Sequence, residues 1–139
     1  GIDIAATAID IARRRAEEAA LDNVHFECAS VLEPLPVDAG RVGVALDRGC
    51  FHTFSESDQP TYAGHIAEAL AVGGWGLMLC GNADEQRAEG EHGPPQMTLR
   101  RIAAAVEPRF VIQHLEHCHF AGPDGRPTHL AWRGVFQKR

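Results

Sequence analysis

A chain of 139 residues and 15.1 kDa accommodates one domain and little beyond it. Hydrophobic residues make up 45% and charged residues 23%, a globular balance that excludes disordered and collagen-like architectures. Thirteen basic against nineteen acidic residues leave a net charge of -6 with no basic run to offset it, so no nucleic-acid partner is expected. The longest uncharged stretch, Ala69 to Ala83, is broken by Gly73, Gly74 and Gly76 and is shorter than the roughly 18 apolar residues of a membrane helix. The first residues carry no basic-then-apolar signal pattern, and no membrane partner is expected. Cys28, Cys50, Cys80 and Cys118 are scattered and form no CxxC pair, which predicts reduced thiols and a cytoplasmic setting.

Gly1 to Ile4 reads as the tail of a strand. Ile9, Ala12, Ala16 and Ala19 then recur at helical steps, with Arg13, Arg14, Glu17 and Glu18 off that stripe. Thr7 and Asp10 offer a weak capping box. Val24 to Cys28 is the next predicted strand, and Pro34 and Pro36 break the chain after it. The apolar run Val42, Val44, Ala45, Leu46 predicts a strand buried on both faces. Ser57, Asp58 and Pro60 announce a helix with Tyr62, Ile66, Ala69 and Leu70 on its buried stripe, which Gly73-Gly74 is expected to stop. Trp75 to Cys80 is a further strand, and Asn82 to Gln96 is a polar surface loop that could cover a substrate. Leu99, Ile102, Ala103 and Val106 mark a short helix closed by Pro108. Strands around Phe110–Cys118 and His129–Gln137 flank the turn Gly122-Pro123-Asp124-Gly125, which pairs them as an antiparallel hairpin. This alternation predicts a single α/β domain with a mainly parallel, Rossmann-like sheet and a C-terminal antiparallel hairpin.

In such sheets ligands bind at the carboxyl ends of strands, which directs attention to three positions. Asp3 ends the first strand, where a carboxylate can accept both hydroxyl protons of a ribose or can complement a helix dipole. Ala29-Ser30-Val31 follows the second strand and offers a hydroxyl and a free amide. Asp47-Arg48-Gly49-Cys50-Phe51-His52 places a carboxylate, a guanidinium, a glycine and an imidazole within six residues. An Asp47–Arg48 ion pair is the plain structural alternative there.

Together these segments resemble class I S-adenosylmethionine-dependent methyltransferases. Gly1-Ile2-Asp3-Ile4 is similar to the second strand of that family, and Asn23 to Ser30 to its third strand and adenine-contacting turn. Val44 to His52 resembles its fourth strand and motif, and Leu70-Ala71-Val72-Gly73-Gly74 its helix-to-fifth-strand join. The resemblance implies S-adenosylmethionine as cofactor and a small-molecule methyl acceptor. It implies that Asp3 holds the ribose, that Ile4 packs on the adenine, and that Ser30 and Val31 meet the adenine edge. It further implies that Asp47 and Arg48 lie near the methionine part, while His52 is the candidate base because an imidazole titrates near neutral pH. Where Ser30 stands the family often has Asp, which weakens adenine recognition, and no Pro stands at Val72.

The family's first strand and its glycine-rich loop have no counterpart before Gly1, and Gly73-Gly74-Trp75-Gly76 leads into a strand and cannot replace that loop. The expectation is therefore an N-terminally truncated domain with impaired transfer and with two sheet edges open to pairing, by which it would form a homo-oligomer. Two other readings remain. A non-catalytic methyltransferase-like module could use those edges as an interface. A zinc site at His114, His117, Cys118 and His119 is disfavoured, since on one strand His117 and His119 share one face while His114 and Cys118 point the other way, and no second ligand pair appears elsewhere, so no metal is expected.

Overall fold

The computed structural model describes residues 1–139. Two sheets carry the fold. The smaller pairs β1 (Ile2–Asp3) in parallel with β2 (Glu27–Cys28), and α1 (Ala6–Glu18) connects them. The larger has the order β3 (Val42–Arg48), β4 (Leu70–Asn82), β7 (Pro127–Lys138), β6 (Phe110–Ala121), with the two-residue β5 (Gln96–Met97) paired to the end of β4. Helix α2 (Gln59–Ala69) links the parallel strands β3 and β4, and α3 (Leu99–Val106) precedes the antiparallel pair β6–β7. The predicted α/β architecture with a C-terminal hairpin is what the chain adopts.

The core lies on one face of the larger sheet. Phe51, Leu70, Cys80, Ile102, Val106 and Phe136 are among the buried side chains packed there with α2 and α3. Ile102 and Val106 come from the same face of α3, whose amino end is capped by the Thr98 hydroxyl accepting from the Arg101 amide. Val31 joins this core from the segment after β2, and its carbonyl meets His65 Nδ1 of α2 at 3.0 Å. The small sheet is thereby tied to the large one.

Several expectations are corrected. Strand β3 is not buried on both faces: Val44 is 55% and Leu46 77% exposed, while Asp47 on the opposite face is buried. The reason is that only the face of β3 toward α2 is covered. The strand predicted from Val24 is reduced to Glu27–Cys28, because its partner β1 offers only Ile2 and Asp3. Gly73-Gly74 does not stop α2, which ends at Ala69 with β4 starting at once at Leu70. Those glycines instead form an irregularity within β4, where the pairing shifts from Val42↔Leu70 to Val44↔Trp75. Gly73 sits at φ +74, and a Cβ on Gly74 would stand 2.8 Å from the Ala71 carbonyl oxygen. The Thr7–Asp10 capping box does not form, since α1 starts at Ala6 with Ala5 at its cap and no side-chain cap bond.

Ile102 is fully buried in the main core. Ile102→Ala is expected to lower unfolding free energy by about 2–5 kcal/mol, read from urea denaturation.

Candidate active site

The carboxyl ends of β1 and β3 face each other across a cleft of about 380 Å³. Asp3, Ile4, Ser30, Val31, Asp47 and Arg48 all line it. The structure brings these six together from segments as far apart in sequence as β1 and β3.

Asp3 is fixed by its own chain. Its Oδ1 accepts from the Ala5 amide at 2.8 Å, and its other carboxylate oxygen has no protein donor. Ile4 beside it is 76% exposed, an uncovered apolar surface at the mouth of the cleft. Opposite, the Ser30 hydroxyl accepts from the Leu32 amide at 3.2 Å, and the Ser30 carbonyl accepts from the Glu33 amide. The amides of Ser30 and Val31 themselves donate to no protein acceptor. This side of the cleft thus presents free donors, and the Asp3 side presents a free acceptor.

Asp47 is engaged differently. Its Oδ1 accepts from the Cys50 amide at 2.7 Å, and its Oδ2 accepts from the Phe51 amide at 2.8 Å and from the Tyr62 hydroxyl at 2.6 Å. These bonds fold the chain after β3 into a 3-10 turn (Phe51–Thr53) and fasten that turn to α2. Burial, then the Asp47 charge, pushes the Tyr62 phenol well above its ordinary value, so it stays a donor. Burial, Asp47 and Asp3 in that order push the Cys50 thiol up to about 11. Arg48 lies on the opposite face of β3 from Asp47, donates to the Ala121 carbonyl at 2.9 Å and sits 5.5 Å over the Phe120 ring. The two side chains do not form an ion pair.

His52 stands apart from the cleft. It is buried on the 3-10 turn, and its Nδ1 accepts from the Gly81 amide at 2.9 Å. Burial, partly offset by Asp47, lowers its pKa below 6.5. The ring is therefore neutral with its proton on Nε2, and it has no lone pair left to act as a base. Of the histidines on β6, His117 meets Asp84 at 3.2 Å and stands edge-on to Trp132 at 4.5 Å between ring centres.

Cys50, Thr53, Phe54 and Tyr62 also line the cleft, and sequence reasoning assigned none of them a part in it. Tyr62 was legible only as one apolar position on a helical stripe. No local signal pairs it with a carboxylate fifteen positions earlier.

The family described as methyltransferase domain matches residues 1–74. No curated protein sequence matches the chain. Among solved structures, one concerning conversion of a disulfide bond into a thioacetal group during echinomycin biosynthesis is similar at TM-score 0.82 and 19% identity. That similarity covers 99% of this chain and 65% of the other, so the chain spans less than two thirds of that protein's length. A SAM-dependent methyltransferase from Methanosarcina mazei is similar at TM-score 0.79 and 14% identity, over 99% of this chain and 80% of that one. The N-methyltransferase NodS from Bradyrhizobium japonicum, in complex with S-adenosyl-L-homocysteine, is similar at TM-score 0.71 and 12% identity, over 99% and 64%. At these identities the likeness is one of fold.

Tyr62→Phe removes one of the three donors to Asp47 and is expected to cost about 1–3 kcal/mol in urea denaturation. His52 has a folded pKa below its unfolded value of 6.5, so its contribution to stability is present above pH 6.5 and is lost as pH falls through the lower folded value. His52→Asn keeps an acceptor for the Gly81 amide, so unfolding free energy measured between about pH 7.5 and pH 5.5 should fall less steeply in this variant than in the native chain.

Proposed function

The chain belongs to the methyltransferase-domain family, and on that premise we propose that it transfers a methyl group from S-adenosylmethionine to a small-molecule acceptor. One observation carries the reading. The Asp3 carboxylate is pinned by the Ala5 amide with its second oxygen free, across a cleft from the unpaired Ser30 and Val31 amides.

These residues fit an adenosine. Asp3 accepts from the two ribose hydroxyls, Ile4 covers one face of the adenine, and the Ser30 and Val31 amides meet the adenine edge. Arg48 and Asp47 border the methionine end. Asp47 accepts from Cys50, Phe51 and Tyr62, so its part is to hold the wall of the site in shape. When bound, the cofactor supplies a methyl group already activated by sulfonium charge. The protein's own task is then alignment and the exclusion of water. His52 stands outside this cleft and, with its proton on Nε2, does not abstract one.

The open edges of β1 and β3 support a further feature of the reading. One more parallel strand between them would join the two sheets and pair the free backbone edge of β3. That strand comes either from further residues of the same protein or from a second copy. If exposed edges served only assembly, the chain would oligomerise and bind no nucleoside, which is the outcome that favours a non-catalytic module.

Titration calorimetry with S-adenosylhomocysteine tests the proposal. Asp3→Ala should weaken binding about tenfold or more, the loss of hydrogen bonds to a charged acceptor. An N-terminally extended version should bind more tightly than residues 1–139 alone. Equal affinity of the Asp3→Ala and native chains would remove the basis of the assignment.

A further inference from the structure

The cleft beside Asp3 has two ends. At one, Arg48 lines both this cleft and a second space of about 290 Å³ beside His52 and His129. At the other stand Ser30 and Val31, where the reading above places the purine. Only two carboxylates line the cleft, Asp3 and Asp47. Asp47 already holds three donors, and Asp3 is the acceptor for the ribose, so no carboxylate is left for the base.

The groups that do stand at the base end differ in kind. Val31 packs its side chain into the core, and its carbonyl accepts from His65 Nδ1 at 3.0 Å, so its free amide is a donor held in a rigid frame. Ser30 is held through its Oγ, which accepts from the Leu32 amide at 3.2 Å, and through its carbonyl, which accepts from the Glu33 amide at 3.1 Å. Its hydroxyl keeps a proton and a lone pair, and rotation lets it donate or accept.

The outer edge of a purine tells these two groups apart. Adenine offers a lone pair on N1 and an amino group at position six. Hypoxanthine offers N1–H and a carbonyl oxygen, and unsubstituted purine offers the N1 lone pair alone. A fixed amide pairs with the N1 lone pair of adenine or purine, but meets N1–H of hypoxanthine donor to donor. A rotating hydroxyl favours the amino group little over water, whereas a carboxylate in its place would accept a strong bond from it.

We propose that the Val31 amide makes this cleft read the N1 lone pair of a purine nucleoside, while Ser30 leaves position six unread. The cleft then takes purine nucleosides with an unprotonated N1, with or without the six-amino group, and rejects the six-oxo class. The proposal rests on the methyl-transfer reading above and deepens it to the base that the cofactor must carry.

Backbone amide NMR of the full chain, titrated with adenosine, purine riboside and inosine and no methyl donor, tests this. Adenosine and purine riboside should move the Ser30 and Val31 amide signals and bind within about threefold of each other, while inosine binds about tenfold or more weakly. Ser30→Asp should create a preference of about tenfold for adenosine over purine riboside, because the new carboxylate finds a donor only in the amino group. Asp3→Ala should weaken adenosine and purine riboside alike, since the ribose is common to both. A native chain that binds adenosine about tenfold more tightly than purine riboside, or inosine as tightly as adenosine, would overturn the proposal and leave the nucleoside site standing. The three native affinities decide this even if Ser30→Asp fails to fold. No movement of either amide with any nucleoside would remove the site on which the proposal and the methyl-transfer reading both stand.

Discussion

A single buried carboxylate organises the functional end of this molecule. Asp47 leaves β3 facing the core and takes three donors, the Cys50 and Phe51 amides and the Tyr62 hydroxyl. A buried carboxylate without such donors would be costly, and with them it becomes a rigid corner. That corner turns the chain so that Arg48 and Cys50 face the cleft and His52 reaches the Gly81 amide on β4. It also anchors α2, and α2 in turn holds the Val31 carbonyl through His65. The wall beside Asp3 and the wall after β3 are thus set by one chain of contacts.

The same arrangement divides labour among side chains that the sequence presents as equals. Alternation along β3 sends Asp47 inward and Arg48 outward, so neighbours in sequence serve different neighbourhoods. Asp47 is structural, whereas Arg48 stands between two spaces and is held by the Ala121 carbonyl and the Phe120 ring. His52 and His129 line one pocket, where the Nδ1 of His52 meets the Gly81 amide and the Nδ1 of His129 meets a Glu85 carboxylate oxygen. The chemistry each imidazole can perform is decided by that second nitrogen.

Much of this was readable from the sequence, and the failures have physical causes. The α/β alternation, the hairpin around Gly122–Gly125 and the helix stripe of Ile102 and Val106 follow from local periodicity, and the chain adopts them. The rule that strand ends bind ligands gathers Asp3, Ser30, Val31, Asp47 and Arg48, the family resemblance adds Ile4, and all six share one cleft. The rule could not tell which carboxylate was free and which was spent, because that depends on Tyr62, a contact across fifteen positions. The burial of β3 was misjudged because an apolar run reports what a strand would bury and says nothing of whether a neighbour is present. Gly73-Gly74 was read as a helix stop, since a local pattern does not distinguish that from an irregular strand start. The Glu85–His129 contact joins a loop to a distant strand and left no local signal at all.

The central claim is that Asp3 and Val31 form the two sides of a nucleoside site whose far wall is the Asp47 corner. A crystal structure with S-adenosylhomocysteine bound tests it most directly. The account predicts both ribose hydroxyls on the Asp3 carboxylate, the adenine edge on the Val31 amide, and an Asp47 that keeps all three of its donors. A nucleoside bound elsewhere, or one that takes Asp47 away from the Cys50 and Phe51 amides, would contradict it.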